Sequence, residues 1–428
     1  MANTHIDHFD ELIYSVEGCS LAQTALDPEI GFTASEKFDG APAIVYGLTI
    51  NGTFFMGTKS IFNKTPIVFY NNNDIILNYP EPEKKELRDK LLAAFSALCI
   101  DTSYYMPGIA YQADLMFLRF KNAWFNFDDV EVKYNLSPSE GSNPVQVESV
   151  SFQPNVSRYV ITNPYAIRSV LRATIGLAIH TQYKMGQALA GQTNSVVPPP
   201  SQWVKTAIVG KHTPPHHFNM SQKMVQMNTT PDNFEFFTKC VDQLRVLKNF
   251  YQGYSEADIT ETQTLMKRYD NYCVRNPSFE EFGDYRDVSR FVMLNLYERI
   301  QSLSSKAPSL DPEKAKANVK GLLTNIRKHE KEADGFMTIV NSDSLRELIN
   351  LQMKVRKVVL AAKTLLLDEA AKNSPSQGDN LEGFVGIVDD FEGTASEQMF
   401  KLVDRTKFSA ANFEKNGQTF ANSNKGIL

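Results

Sequence analysis

Two stretches of strand-like sequence, one near each end of the chain, are separated by a long run of helical pattern, and this interruption limits the folds open to it. A sheet domain must either be assembled from distant segments or be split. From Gly31 to about Tyr183 the pattern is mostly extended. Ala43–Ile50 and Thr53–Met56 flank Asn51-Gly52, a pairing of apolar runs and turn residues that predicts a hairpin with a two-residue turn. Further strands are expected at Ile109–Phe117, Val145–Phe152, Tyr159–Ile161 and Thr174–Thr181. Leu87, Leu91, Leu92, Phe95 and Leu98 recur at helical spacing within Glu83–Cys99, and Asn163-Pro164 opens a short helix to Arg172. Short helical pieces run from His8 to Val16 and from Gly18 to near Pro28; extended pattern returns at Gly383–Val388 and Met399–Val403.

The middle differs in kind. Gln192–Pro215, with Pro198-Pro199-Pro200 and Pro214-Pro215, reads as a linker, as does Asn373–Asn380. From about 216 to 372 the pattern is helical. Asp311-Pro312 opens a helix expected to stop at Gly335, and Ser344-x-x-Glu347 is a capping box for the next. That helix carries an apolar stripe through Leu345, Leu348, Ile349, Met353, Val359, Ala362 and Leu366. Its cations Lys354, Arg356, Lys357 and Lys363 read as a solvated face, with nucleic-acid contact the alternative. The expected organisation is α+β: an antiparallel-sheet domain from 1–200 and 380–428, and an all-helical insertion at 205–375. No solenoid repeat is visible.

The net charge of −5 over 428 residues excludes general coating of nucleic acid, though not a local basic groove. Residues 205–372 hold 25 Lys/Arg against 21 Asp/Glu, a surplus of +4 that leaves −9 on the remainder. The middle is therefore the more polyanion-facing part. No apolar run of about 18–20 residues and no secretory leader pattern is present, and Cys19, Cys99, Cys240 and Cys273 are widely spaced. Free thiols in a reducing cytoplasm are expected, with no membrane partner. His212, His216 and His217 lack acidic or thiol neighbours at ligand spacing and read as a polar loop.

Lys37 stands in Glu36-Lys37-Phe38-Asp39-Gly40, a lysine held between a carboxylate and an Asp-Gly turn. Such an amine can attack the α-phosphate of a nucleotide and keep the nucleoside monophosphate as a phosphoramidate. The chemistry also needs a group for sugar and triphosphate, a carboxylate on a central strand, an acid for a divalent ion, and a late lysine for the developing phosphate charge. Lys59 in Gly57-Thr58-Lys59-Ser60, Asp114 in Tyr111–Phe117, Glu382 in Glu382-Gly383-Phe384-Val385, and Lys401 in Phe400-Lys401-Leu402-Val403 supply these in order.

That order resembles the covalent nucleotidyltransferase superfamily of ATP-dependent DNA ligases, RNA ligases and capping enzymes. Lys37-Phe-Asp-Gly-Ala-Pro-Ala43, Thr58–Lys64, Phe152-Gln-Pro-Asn155, Ala178–Tyr183 and Phe400–Arg405 are also similar to ligase-like proteins of tailed bacteriophages. The resemblance covers the strand-rich pieces alone. It implies an ATP-grasp-like ligase domain in which Lys37 carries AMP, and Glu36, Asp39 and Gly40 shape the nucleotide pocket. Lys59 contacts ribose and acceptor phosphate where an arginine is usual, and Asp114 replaces a ribose-binding glutamate. Glu382, with Asp114, binds Mg²⁺ or Mn²⁺, and Lys401 contacts phosphate. His180, then Tyr159, are the candidate adenine platforms. Val403 stands where a second lysine is usual, so Arg405 or Lys407 would substitute. The implied activity is ATP-dependent sealing of 5′-phosphate to 3′-hydroxyl ends, RNA preferred to DNA, in the cytoplasm (the host's for a phage protein). The alternatives are a degenerate nucleotide or nucleic-acid binder and a phage assembly factor.

Overall fold

The computed structural model describes residues 6–415, apart from 101, 121–122, 125–129, 136–145, 187–196, 198–199, 207–213, 221–223, 228–230, 305–311, 374–381 and 389–397. His212, most of the Gln192–Pro215 linker and nearly all of the Asn373–Asn380 linker lie outside the described residues. In chain order, a 3-10 helix (Phe9–Tyr14) and α1 (Val16–Leu26) precede strands β1 (Phe32–Lys37), β2 (Ala43–Leu48) and β3 (Phe54–Thr58). Helices α2 (Asn72–Asn78) and α3 (Lys85–Cys99) follow, then β4 (Ile109–Phe120), β5 (Ala123–Trp124), β6 (Glu131–Asn135), β7 (Gln146–Phe152) and β8 (Tyr159–Ile161). Next come α4 (Pro164–Arg172), β9 (Ile175–Met185), β10 (Trp203–Thr206), β11 (His217–Asn219) and β12 (Met224–Met227). The helices α5 (Phe234–Phe250), α6 (Glu256–Arg275), α7 (Tyr285–Phe291), α8 (Glu298–Ser304), α9 (Pro312–Asn341) and α10 (Asp343–Asn373) lead to β13 (Gly383–Ile387), β14 (Met399–Leu402) and α11 (Arg405–Lys415).

The chain divides into two compact units, and two of the cuts fall inside strands, in β1 and in β13. The first unit takes 36–223 and 374–383 with the first five residues; the second takes 6–35, 224–373 and 384–428. The segment expected to be all-helical from 205 opens instead with the end of β10, β11 and β12, and residues 205–223 fall in the first unit; its helices from Phe234 on supply most of the second unit, which also holds the N-terminal helices, most of β1, and the C-terminal strands.

In the first unit, strands run in the order β10-β9-β4-β2-β3, with β11 beside β9 and β5 beside β4. All of these pairs are antiparallel except β11 with β9. One face buries Ile44, Tyr46, Tyr111, Ala113 and Leu115 against Leu91, Ala94, Phe95 and Leu98 of α3, which confirms the helical period read there. A three-stranded sheet, β6-β7-β8, joins α4 around Phe117, Phe152, Tyr159, Ile167 and Val170. The hairpin turn is wider than two residues, because Thr49 N–H closes onto Thr53 O at 2.9 Å, with Gly52 at φ 79° inside it.

In the second unit, strands run β12-β1-β13-β14. Their core includes Phe9, Tyr14, Phe32, Phe384 and Phe400, together with apolar faces of α5, α6, α9 and α10. The stripe read on α10 is buried throughout. Helix α9 does not stop at Gly335 but continues to Asn341, and Ser342 is the one residue between α9 and α10. Arg346 N–H donates to Ser342 O at 2.9 Å, so α10 starts before the expected Ser344 box.

The cations of α10 divide as well. Lys354 and Lys357 are exposed, whereas Arg356 and Lys363, seven residues apart on one face, are buried. Lys363 donates to Asp10 Oδ1 at 2.7 Å; Arg356 donates to Asp270 Oδ1 at 2.5 Å and Glu281 Oε2 at 2.9 Å; Tyr14 OH donates to Asp270 Oδ2 at 2.7 Å. Arg405 completes the network, donating to Asp10 Oδ2 and, at 2.6 Å, to Glu11 Oε1. Burial pushes the Asp10 carboxyl up, but Lys363 and Arg405 outweigh it and hold the group below the usual carboxylate range. For Asp270 burial prevails over Arg356, and its carboxyl is raised. Removing one member strands its partners as buried charges, which costs about 3–5 kcal/mol. Arg405→Met should therefore lower unfolding free energy by about that amount in denaturant titration, while the exposed Lys407→Met should change it by less than about 0.5 kcal/mol.

Candidate nucleotidyl-transfer site

Strands β1 and β13 are neighbours, and β1 ends where β13 begins. Lys37, the last residue of β1, and Glu382, which precedes β13, are thereby brought together: the Lys37 ammonium forms an ion pair with Glu382 Oε2. Their side chains are 27% and 15% exposed, so the pair is accessible without being fully solvated. Glu36 points to the other side of the strand and is buried.

After Lys37 the chain crosses over the central strand β4. Ala41 N–H donates to Leu115 O at 3.0 Å, and Leu115 N–H to Pro42 O at 3.1 Å. Gly40 sits at the crossing. A Cβ placed on it would lie 2.7 Å from Asp114 Cβ and 2.8 Å from Leu115 O, so no larger residue fits without moving β4. The glycine of the Asp39-Gly40 turn thus acts by allowing this approach.

Asp39 does something other than line a nucleotide pocket. Its Oδ1 accepts from Asn155 Nδ2 at 2.7 Å, and its Oδ2 from the N–H groups of Val156 and Ser157 at 2.8 and 3.0 Å. Its own N–H donates to Tyr159 OH at 2.7 Å. A buried carboxylate with three protein donors is a fixed anchor. It ties the segment after Lys37 to the 155–159 loop. Asn155 belongs to the phrase Phe152-Gln-Pro-Asn155, whose role the sequence did not disclose. Tyr159 is equally committed: it is 1% exposed and its ring packs 5.7 Å from Phe38 and 5.8 Å from Phe152. With its surface enclosed by core, it offers no platform to a base.

Asp114 lies on β4 opposite Ala43 of β2 and Ala178 of β9. Ile44 pairs Thr58 on β3, so the next position along the row brings Lys59 to the same line across the sheet. Strand spacing of about 4.8 Å places Lys59 roughly 10 Å from Asp114 at the backbone, within reach of a lysine side chain. Lys59 is exposed at the start of a 3-10 turn after β3. The Asp114 carboxyl is pushed up to about 7. Burial is the main cause; Lys37 and Lys59 pull it down, and Glu382 and Asp39 push it further up. His180 joins from β9, where the register shifts opposite Gln112 and Ala113. Its Nε2 is 4.0 Å from Asp114 Oδ1, and its Nδ1 is 2.9 Å from Thr181 Oγ1. A β-bulge re-aims a side chain in this way, and the imidazole remains partly exposed.

Lys37, Glu382, Asp114, Lys59 and His180 therefore belong to one electrostatic neighbourhood of the first unit. Lys401, Arg405 and Lys407 belong to the second unit. Lys401 lies on β14 opposite Val385, with its N–H donating to Asp7 O at 2.9 Å. Arg405 is no spare phosphate ligand, since its guanidinium is 10% exposed and engaged by Asp10 and Glu11. Lys407 is exposed on the first turn of α11.

Among the described residues no three His, Cys, Asp or Glu side chains converge as a metal cage. None of the described helices is long and apolar enough to cross a membrane. The chain matches a family model over residues 3–417 and belongs to that family, DUF6267, a family of unknown function. No curated protein and no solved structure matches it.

A carboxyl raised in the folded state binds its proton more tightly than in the unfolded chain, so its contribution is present at low pH and is lost as pH rises from about 4 to about 7. Asp114→Asn should therefore stabilise the protein increasingly across this range, gaining about 2 kcal/mol between pH 5 and pH 8 in denaturant titrations. A pH-independent difference would contradict the burial of this carboxyl.

Proposed function

We propose that this chain is an ATP-dependent polynucleotide ligase that works through a covalent lysyl-AMP on Lys37, with RNA ends preferred to DNA ends. The observation that carries the reading is the Lys37–Glu382 ion pair beside Asp114: an amine, and two acids from distant parts of the sequence, meet at the glycine crossing. A surface lysine before an ordinary turn would have no need of these neighbours.

The residues fit a hydrated magnesium or manganese ion brought in with a nucleotide. Such an ion is commonly held by one or two carboxylates, phosphate oxygens and waters, with no closed protein cage. Glu382 and Asp114 supply that number. The bound ion would offset the triphosphate charge. Glu382 would be one of its ligands, and in that role would no longer pair the Lys37 amine. The ammonium loses a proton to solvent, the free amine forms a bond to the α-phosphorus as the bond from phosphorus to the pyrophosphate oxygen breaks, and the second proton on nitrogen also passes to solvent. Lys59 steadies the phosphates or ribose from the sheet edge, and His180, with an accessible ring, offers a face to the base. The AMP then passes to a 5′-phosphate and is displaced by the neighbouring 3′-hydroxyl.

A second reading, a nucleotide or nucleic-acid binder without turnover, draws support from the commitment of Asp39, Tyr159 and Arg405 to internal contacts. Labelling separates the two. Incubation with α-labelled ATP and Mg²⁺ should leave acid-labile label on the denatured protein, abolished by Lys37→Ala and by chelation. Glu382→Gln should cut the labelling rate by about 10–100-fold. Wild-type protein that takes label from neither ATP nor GTP would sink the enzymatic reading; where label appears, nicked duplex, single-stranded and hairpin RNA identify the acceptor.

A further inference from the structure

Helix α4 presents a stripe to solvent that the proposed reaction does not use. Its inner residues, Ile167 and Val170, are buried in the same core as Phe38, Phe152 and Tyr159. Its outer residues are Tyr165, Arg168, Ser169 and Arg172, all exposed. Spacings of three, four and seven put them on one side of the helix. Tyr165 is 77% exposed, unusual for so large a ring, and the Arg168 guanidinium lies over it at 5.9 Å from the ring centroid. Asn163 caps the helix through Tyr165 and Ala166 N–H groups, so the stripe stands on a fixed first turn.

The segment that carries this stripe is one-sided in charge. From Gln153 to Thr174 there are three arginines and no Asp or Glu. Arg158 is held by Glu131 and, at 2.9 Å, by Ser151 Oγ, which leaves the cationic character of the segment to Arg168 and Arg172. The whole chain carries −5, so a 22-residue segment without an acid is a departure from its average composition. Cations that flank an exposed ring suit a ligand with both phosphates and flat bases. Single-stranded nucleic acid is bound in this way, with bases stacked on aromatic rings and phosphates paired by arginine. An acidic polypeptide would use the charges but not the ring.

We infer that the outer face of α4 docks a single-stranded polynucleotide, with a base stacked on Tyr165 and neighbouring phosphates paired by Arg168 and Arg172. The inference deepens the ligase reading, and only the claim that the docked strand is the substrate rests on that reading. The Phe38 side chain, adjacent to Lys37, belongs to the core on which α4 sits, so the strand would lie in the same unit as the nucleophile.

The test uses the full chain and a fluorescein-labelled 20-nucleotide single strand, oligo(U) and oligo(dT) in turn, read by anisotropy at several salt concentrations. Arg168→Glu/Arg172→Glu should weaken binding at least tenfold and lower the slope of log affinity against log salt by about 1.4, the value for two lost contacts to a single strand. Tyr165→Ala should weaken binding by roughly 5- to 100-fold and leave that slope unchanged. Lys85→Glu, an exposed reversal elsewhere in the unit, should leave affinity as it was. All substituted positions are exposed, so melting curves should match wild type. Undiminished binding in the arginine reversal, an equal loss in Lys85→Glu, or competition by polyglutamate as effective as by unlabelled oligonucleotide would each overturn the docking site. Lysyl-AMP formation is followed in the same proteins. Loss of strand binding with intact labelling supports the inference, and a wild type that binds strand but takes no label removes the ligase reading while the docking site stands.

Discussion

The contact between the Lys37 ammonium and Glu382 is the constraint on which the candidate site depends. It exists because β1 and β13 are adjacent although they come from opposite ends of the chain. Every other feature of the site is arranged from that point. The chain leaves Lys37, crosses β4 at Gly40, and is fastened by Asp39 to the loop before β8. The lysine can therefore be partly exposed and still be held in one place, as the proposed nucleophilic role requires. A tethered backbone supplies the order, and the side chain keeps its freedom to exchange partners.

The two aspartates near Lys37 show how environment divides like residues. Asp39 has three donors on its oxygens, and its charge is met by the protein itself. Asp114 lies on a central strand with Lys37 and Lys59 as its cations, and burial outweighs both. Pairs of carboxyls separated in this way commonly divide structural and chemical work. Here the buried, fully satisfied acid is the scaffold. The acid poised near neutrality, beside an imidazole re-aimed by a bulge, is the one whose charge can change near neutral pH.

Much of the architecture was legible because it rests on local patterns. The period of α3, the Asn163 cap of α4, and strands β4, β7, β9, β13 and β14 follow from apolar spacing and turn chemistry. What failed was decided by partners far away in sequence. Gly335 suggested a helix end, yet a glycine costs only about 1 kcal/mol within a helix, less than the packing of Ala333, Phe336, Ile339 and Val340 on either side of it. Arg356 and Lys363 read as solvated because periodicity cannot tell a charge facing water from one facing Asp10 or Asp270 across a core. The mixed, largely antiparallel architecture was anticipated, but the placement of the N-terminal helices with the helical unit was not. Within the site, the order of Lys37, Asp114 and Glu382 was visible from residue types; the inward role of Asp39 was not, since an Asp-Gly turn looks the same whichever way its carboxylate faces.

The buried network of the second unit bears on what the cations of this chain can do. Arg356, Lys363 and Arg405 are tied to Asp10, Glu11, Asp270 and Glu281. Arginine and lysine already satisfied in a low-dielectric interior cannot also grip phosphate, because leaving their acids would strand buried charges. The 25 Lys/Arg counted in residues 205–372 therefore overstate the cations that a ligand can reach, since two of them, Arg356 and Lys363, are spent on internal acids in this network. The surplus pointed to the middle of the chain as the polyanion-facing part, whereas the acid-free stripe of α4 lies in the first unit and on the short helix after β8. Segment charge counted from sequence and charge available to a ligand are different quantities, and pairing within the fold is what separates them.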